Sequence, residues 1–258
     1  METKELLKKL TGQKNIFLIS RGNNAIRQAL QLVKTDRKNI LVQDQGGWLR
    51  YLDYPQKYGF TVEMLKTDFG IVDLEDLEKK AKKAAAILYE DPAGYIAEQP
   101  IKEVYEICQR NGCEVILDIT GSIGYRNIGE VADYVIASFG SDKPVNLGYG
   151  GVVATNKDVA VKEDFESDEK ELLESLNKLS ERQRFLHQKS YEIKQELKEH
   201  NIIHRDSSGI NVVVAFESKE EKGKIIDYCK KNGLPYTTCP RYIRVMRDAV
   251  SIEIKKLI

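Results

Sequence analysis

The sequence predicts an α/β protein in three layers, with a mostly parallel seven-stranded sheet and a small C-terminal α+β domain. Three observations lead there. Seven short apolar runs punctuate the chain between Asn15 and Asn156. Four of the intervals between them carry apolar residues three and four apart, the spacing of the crossover helices that parallel strands need. After Asn156 the texture turns to a charged, helix-periodic stretch and then to further short strands.

The first predicted strand is IFLIS at 16–20, followed by the helix NNAIRQALQLVK at 23–34. NILVQD at 39–44 is the second strand, and WLRYLDYPQKYG at 48–59 reads as the next crossover helix. TVEMLK at 61–66 and AAAILYE at 84–90 flank a helix at 74–83. IKEVYEICQRNG at 101–112 is a helix that Asn111-Gly112 stops. EVILDIT at 114–120, YVIASF at 134–139 and GVVATN at 151–156 complete the seven strands. Residues 168–200 repeat Leu, Phe and Ile at helical spacing and predict one long amphipathic helix. Beyond it, strands are predicted at 210–218, 242–248 and 250–257, with a helix at 222–233. The expected division is a large domain over 1–157 and, over 158–258, the long bridging helix plus the small domain.

A chain of 258 residues that is 41% hydrophobic can bury a substantial core. Forty basic residues balance forty acidic ones, so no net field draws it to nucleic acid or an anionic membrane. A small-molecule substrate is the default. The start shows no signal-peptide core and no later run is long enough to span a bilayer, so a cytoplasmic protein is expected. Cys108, Cys113, Cys229 and Cys239 lack CxxC spacing and read as reduced structural thiols. His187 and His204 lack metal-ligand spacing, and no metal is expected.

Open parallel sheets bind ligands at the carboxyl ends of their strands, so the loops there carry the chemistry. The first such loop, Ser20 to Ala25, is a polar turn containing Gly22 at a strand-to-helix junction. Its unpaired amides and positive dipole suit a phosphate, and the same residues, Asn23 or Asn24, would equally serve as an ordinary helix cap. The second is Asp118, at the end of EVILD, where a carboxylate can pair with a protonated ring nitrogen or simply close an Asx turn. The third, Ala137 to Gly151, holds Lys143 among small residues, where burial would lower its pKa and make it a nucleophilic amine; in an open loop it would be only a solvated lysine. Trp48 follows Gly46-Gly47, either stacked on a ligand ring or packed at a helix start. Arg241 and Arg244 in PRYIRV suit an anionic substrate group, or solvent.

Taken together, Gly22-Asn23-Asn24-Ala25, Asp118 and the Ser138-to-Lys143 segment resemble the fold type I enzymes that use pyridoxal 5′-phosphate (PLP), most closely the DegT/StrS aminotransferases. The glycine-rich run from Asn146 to Val153 follows the same pattern. The resemblance implies an aminotransferase-like PLP-binding large domain with Lys143 as the aldimine lysine. Gly22, Asn23, Asn24 and Ser138 would hold the phosphate, Asp118 the pyridine nitrogen and Trp48 the ring face. Asn146 would approach a neighbouring subunit's cofactor, and Arg241 and Arg244 would meet substrate. It further implies a homodimer with the site at the subunit interface. Two departures stand out: Asn23 replaces a hydroxyl residue, and Gly121 stands where the family usually has a polar side chain near the cofactor's phenolic oxygen.

The function so implied is transamination between an amino donor and a keto acid or keto-sugar acceptor, with Lys143 moving the α-proton and Asp118 keeping the ring protonated. Ser141-Asp142-Lys143 resembles the selenocysteine-synthase branch of the same fold, which keeps β-elimination or replacement open. The chain is shorter than usual in that family, which also keeps open a truncated, non-catalytic partner subunit.

Overall fold

The computed structural model describes residues 2–126, 128, 131–166 and 168–257. In chain order the elements are α1 (Glu2–Thr11), β1 (Asn15–Ile19), α2 (Gly22–Leu32), β2 (Asn39–Gln43), β3 (Thr61–Leu65), β4 (Thr67–Asp68), β5 (Ile71–Val72), α3 (Leu74–Ala81), β6 (Ala84–Glu90) and α4 (Ile101–Arg110). They continue with β7 (Glu114–Asp118), β8 (Tyr134–Ser138), β9 (Gly151–Thr155), α5 (Glu169–Asn177), α6 (Leu179–Glu196), β10 (Asn201–Ile202), β11 (Val212–Ala215), α7 (Lys219–Lys231), β12 (Tyr236–Cys239) and β13 (Ala249–Ile252).

All seven strands read from the sequence before residue 157 join one sheet, in the order β1-β9-β8-β7-β6-β2-β3. Neighbours pair in parallel except that β9 runs antiparallel to both β1 and β8. The central strands read as continuous apolar runs because helices cover both faces. Successive side chains alternate between two cores: Leu41, Ile87 and Leu117 meet α1, α3, α4 and α5 on one face. Ile40, Ala86, Leu88 and Ile116 meet α2 and Tyr51 on the other. That alternation makes the three layers.

The small sheet, β10-β11-β13-β12, is antiparallel throughout. Its core is Leu186, Ile193, Ile210, Val212, Val214, Ile225, Val250 and Ile252. The two sheets interlock at Tyr95, whose carbonyl accepts from the amides of Ile210 (2.8 Å) and Asn211 (2.9 Å).

Three expectations are corrected. Residues 48–59 form two short 3-10 turns, Leu49–Tyr51 and Pro55–Tyr58, instead of an α-helix, because Pro55 cannot donate within a helix interior and opens the second turn at its N-terminus. The long helix of 168–200 is two helices that meet at Lys178. Leu172 and Leu176 of α5 face the large core while Leu186 and Ile193 of α6 face the small one, so the two must present different faces. Residues 242–248 are a turn, with Arg241 N donating to Val245 O (2.9 Å), and the strand lies earlier, at β12. That turn docks on the large sheet: Tyr242 OH donates to Gln43 O at 2.8 Å. The helix α1 and the β4–β5 hairpin were not read from the sequence. All four cysteines are free and buried. Among the described residues no helix is long and apolar enough to cross a membrane.

One buried ion pair holds the small domain's inner edge. Arg244 Nε and Nη2 donate to the two carboxylate oxygens of Glu253 at 2.9 and 2.6 Å, and both residues are nearly inaccessible. Burial would raise the pKa of Glu253, but the hydrogen bonds and charge of Arg244, with Lys255, bring it down to about 2. Arg244→Ala strands this carboxylate, and an expected loss of about 3–5 kcal/mol is measurable by urea unfolding. Because the folded pKa lies below the unfolded one, near 4.5, the pair's contribution is complete above that pH and fades as pH falls toward 2. Acid titration followed by circular dichroism should show this loss, absent from Glu253→Gln.

Candidate active site

The carboxyl ends of β6, β7 and β8 lie side by side, and in the β6–β7 register Glu90 stands opposite Asp118. Beside them the chain leaves β1 through Ser20 and Arg21 and enters α2. A cavity of about 170 Å³ opens where these ends meet the glycine-rich loop before β9.

Asp118 forms its floor. Its Oδ2 accepts from Tyr51 OH at 2.7 Å, and its Oδ1 from the backbone N and hydroxyl of Thr120 at 2.9 and 2.5 Å. Burial raises its pKa, and those hydrogen bonds, with Lys143, oppose the rise. Lys143 reaches in from the opposite wall, with Nζ donating to Tyr95 OH at 3.0 Å. Nζ also lies 5.7 Å from the centre of the Trp48 ring and 5.1 Å from that of Tyr95. Burial lowers the pKa of Lys143 against the pull of Glu90 and Asp118. The amine is therefore neutral at a lower pH than an ordinary lysine.

At the other end of the cavity stands the start of α2. Its cap residue, Arg21, is extended and makes no side-chain capping bond, so neither Asn23 nor Asn24 acts as the cap. Gly22 is required by closeness: a Cβ there would lie 2.5 Å from Ser138 Cβ and 2.7 Å from its Oγ. The Ser138 hydroxyl thus sits directly against the helix tip, and it accepts from Gly140 N at 3.2 Å. A helix N-terminus, an adjoining hydroxyl and loop amides make a cradle for a phosphate.

Of the residues read from the sequence, Gly22, Asn23, Trp48, Asp118, Ser138 and Lys143 line this one cavity. Asn23 Oδ1 accepts from Trp48 Nε1 at 2.9 Å and steadies the indole. Asn24 lies off the cavity, donating to Ser20 Oγ at 2.8 Å. Asn146 also lies off it, and its Oδ1 accepts from Asp142 N at 2.9 Å, which shapes the turn ahead of Lys143. Arg241 is exposed and donates to Thr237 Oγ1 at 2.7 Å, while Arg244 is committed to Glu253. Neither arginine lines the cavity. Burial pushes the pKa of His187 down to about 4, and its ring stacks on Tyr125 at 3.5 Å. Nε2 of His204 lies 2.8 Å from Asp68 O.

Sequence reasoning missed Glu90, Tyr95 and Tyr51. Glu90 closes a strand in register with Asp118, a signal present in the sequence once the strand order is known. Tyr95 left no such signal, because it follows a turn and has a positive φ of 67°. Gly121 explains its place: a Cβ there would lie 2.9 Å from the Tyr95 ring and 2.6 Å from Pro92. The space vacated at 121 is filled by an aromatic ring whose hydroxyl touches Lys143.

The model of the DegT/DnrJ/EryC1/StrS aminotransferase family matches residues 3–199, and one for the MJ1341 family C-terminal domain matches residues 182–258. No curated protein matches the chain. Among solved structures, the chain is similar to a serine palmitoyltransferase variant from S. paucimobilis with a bound PLP-myriocin aldimine (TM-score 0.77, 16% identity, covering 98% of this chain and 70% of that one). It is also similar to Helicobacter pylori PseC, an aminotransferase of pseudoaminic acid biosynthesis (0.72, 16%, 97% and 84%). A third likeness is to a subgroup IV aspartate aminotransferase from Thermus thermophilus (0.77, 11%, 100% and 84%). At these identities the likeness is one of fold.

Tyr51→Phe removes a donor from a buried carboxylate. The expected cost is about 1–3 kcal/mol in denaturant unfolding; an unaltered midpoint would show that the bond contributes nothing.

Proposed function

The chain belongs to the DegT/DnrJ/EryC1/StrS aminotransferase family, and from that premise we propose that it is a PLP-dependent aminotransferase in which Lys143 bonds covalently to the coenzyme aldehyde. The observation that carries this reading is the convergence of a buried acid, a desolvated amine and a phosphate cradle on one cavity. The residues fit the coenzyme. Ser138 and the tip of α2 suit its phosphate, Asp118 suits a protonated pyridine nitrogen, and Trp48 supplies an apolar face. When bound, PLP supplies the electron sink that stabilises negative charge on a substrate carbon.

The chain's own groups do the rest. Asp118, fixed by Tyr51 and Thr120, is already oriented when a ring nitrogen arrives. Lys143, neutral more readily than a solvated lysine, would hold the coenzyme and, whenever its amine is free, would take a proton from the substrate carbon and return it. Trp48 and Tyr95 wall off water around its amine. An amino acid donor and a keto acid or keto-sugar acceptor fit this chemistry. Arg21 at the cavity wall, not Arg241 or Arg244, is the arginine placed to meet an anionic group. A cytoplasmic homodimer completes the reading. Exposed Leu49, beside Trp48, and Asn146, on the Lys143 loop, support a partner that covers the mouth.

Added PLP should give the visible absorbance of a lysine-bound coenzyme, and borohydride followed by peptide mapping should place the label on Lys143. A label on another lysine would overturn the assignment. Lys143→Ala should lower turnover of an amino donor by on the order of 10²–10⁴-fold.

A further inference from the structure

Glu90 is a second buried acid in the same cavity, only 3% exposed, and the reading so far gives it no work. It is the last residue of β6, directly opposite Asp118 across a parallel pair, so the two carboxylates project from the same edge of the sheet. Two such groups in a low-dielectric site do not both ionise freely. The group that relieves the conflict is Tyr95. Lys143 Nζ donates to the Tyr95 hydroxyl at 3.0 Å, and Tyr95 and Glu90, which line the same cavity, act on each other's proton affinity. Amine, phenol and carboxyl thus stand together at one cavity, and Tyr95 is anchored there by the backbone bonds from Ile210 and Asn211 to its carbonyl oxygen.

We propose that Glu90 is the proton store of the site, passing one proton to and from Lys143 through the Tyr95 hydroxyl. In one state Glu90 is a carboxylate, the Tyr95 hydroxyl donates to it, and the Lys143 ammonium donates to Tyr95. In the other, the ammonium has given its proton to the Tyr95 oxygen while the Tyr95 proton has passed to Glu90, leaving a neutral amine and a carboxylic acid. One N–H and one O–H bond break and two O–H bonds form, and charge is conserved across the pair. Glu90 is a positioning residue that acts through Tyr95, and Tyr95 is the group in contact with the reacting nitrogen.

The surroundings favour such sharing. Facing these groups are Asp118 from β7, Tyr51 from the turn above it, Asp142 from the Lys143 loop, and Tyr242, Arg244 and Lys255 from the small domain. Burial and the neighbouring Asp118 push Glu90 up to about 8, with Lys143 and Arg244 pulling the other way. Burial, together with Lys143 and Arg244, brings Lys255 down to about 7, so around neutrality it is only partly charged. Arg244 is neutralised by Glu253.

The proposal rests on Lys143 being the reacting amine of the site, and its test needs no bound coenzyme. The full chain without PLP is labelled at lysines with trace acetic anhydride across a pH series, and the Lys143 peptide is quantified by mass spectrometry. Replacing the acid by Glu90→Gln removes the anion that holds the proton nearby, so the labelling midpoint of Lys143 should move down by about one pH unit or more. Tyr95→Phe should move it in the same direction, and Glu90→Gln should have a smaller effect in that background. An unchanged Lys143 midpoint in Glu90→Gln with native circular dichroism would overturn the proposal. Should that variant fail to fold, Tyr95→Phe decides, and an unchanged midpoint there has the same consequence. Failure of borohydride trapping would instead count against the coenzyme reading, so the two are separable.

Discussion

Burying an amine and two carboxylates at one edge of a sheet costs several kcal/mol per ion unless each finds a partner, and that requirement organises the cavity wall. Asp118 is satisfied by Tyr51 and Thr120. Lys143 is satisfied by the Tyr95 hydroxyl, with Glu90 at the same cavity. The same ring faces three basic groups, with Lys143, Arg244 and Lys255 all between 5.1 and 5.2 Å from its centre. A tyrosine held at positive φ carries backbone strain, and such strain persists only where the surroundings dictate it. Here the missing side chain at Gly121 leaves the ring the space it occupies.

The large domain was legible in the sequence because its determinants are local. Seven apolar runs, each too short for a helix, matched the seven strands within a residue or two, since a sheet covered on both faces writes itself as uninterrupted Val, Ile, Leu and Ala. Less legible were segments shaped by what they dock against. Residues 48–59 keep a helical spacing, yet Pro55 and the need to bring Tyr51 under Asp118 divide them into two tight turns. The 168–200 stretch is periodic throughout, but its two halves answer to different cores, a fact that no single-helix pattern reveals.

The site divides along the same line. Gly22, Asp118, Ser138 and Lys143 were visible because each lies at or just beyond the carboxyl end of a strand, where ligand chemistry concentrates in parallel sheets. Arg244 misled because side-chain type alone cannot distinguish an arginine that awaits a ligand from one already bound to a carboxylate nine residues on. Tyr95 and Glu90 were invisible for the opposite reason. Their importance lies in mutual contact, and contact between a turn, a strand end and a loop nearly fifty residues away emerges only in three dimensions.

The carbonyl of Tyr95, which receives both the Ile210 and Asn211 amides, makes the C-terminal sheet part of the cavity wall and not an appendage to it. Any graft that exchanges the last sixty or so residues for those of a relative must therefore bring two amide donors to that spot, along with replacements for Arg244 and Lys255. Modular recombination at this seam is constrained by a single oxygen atom.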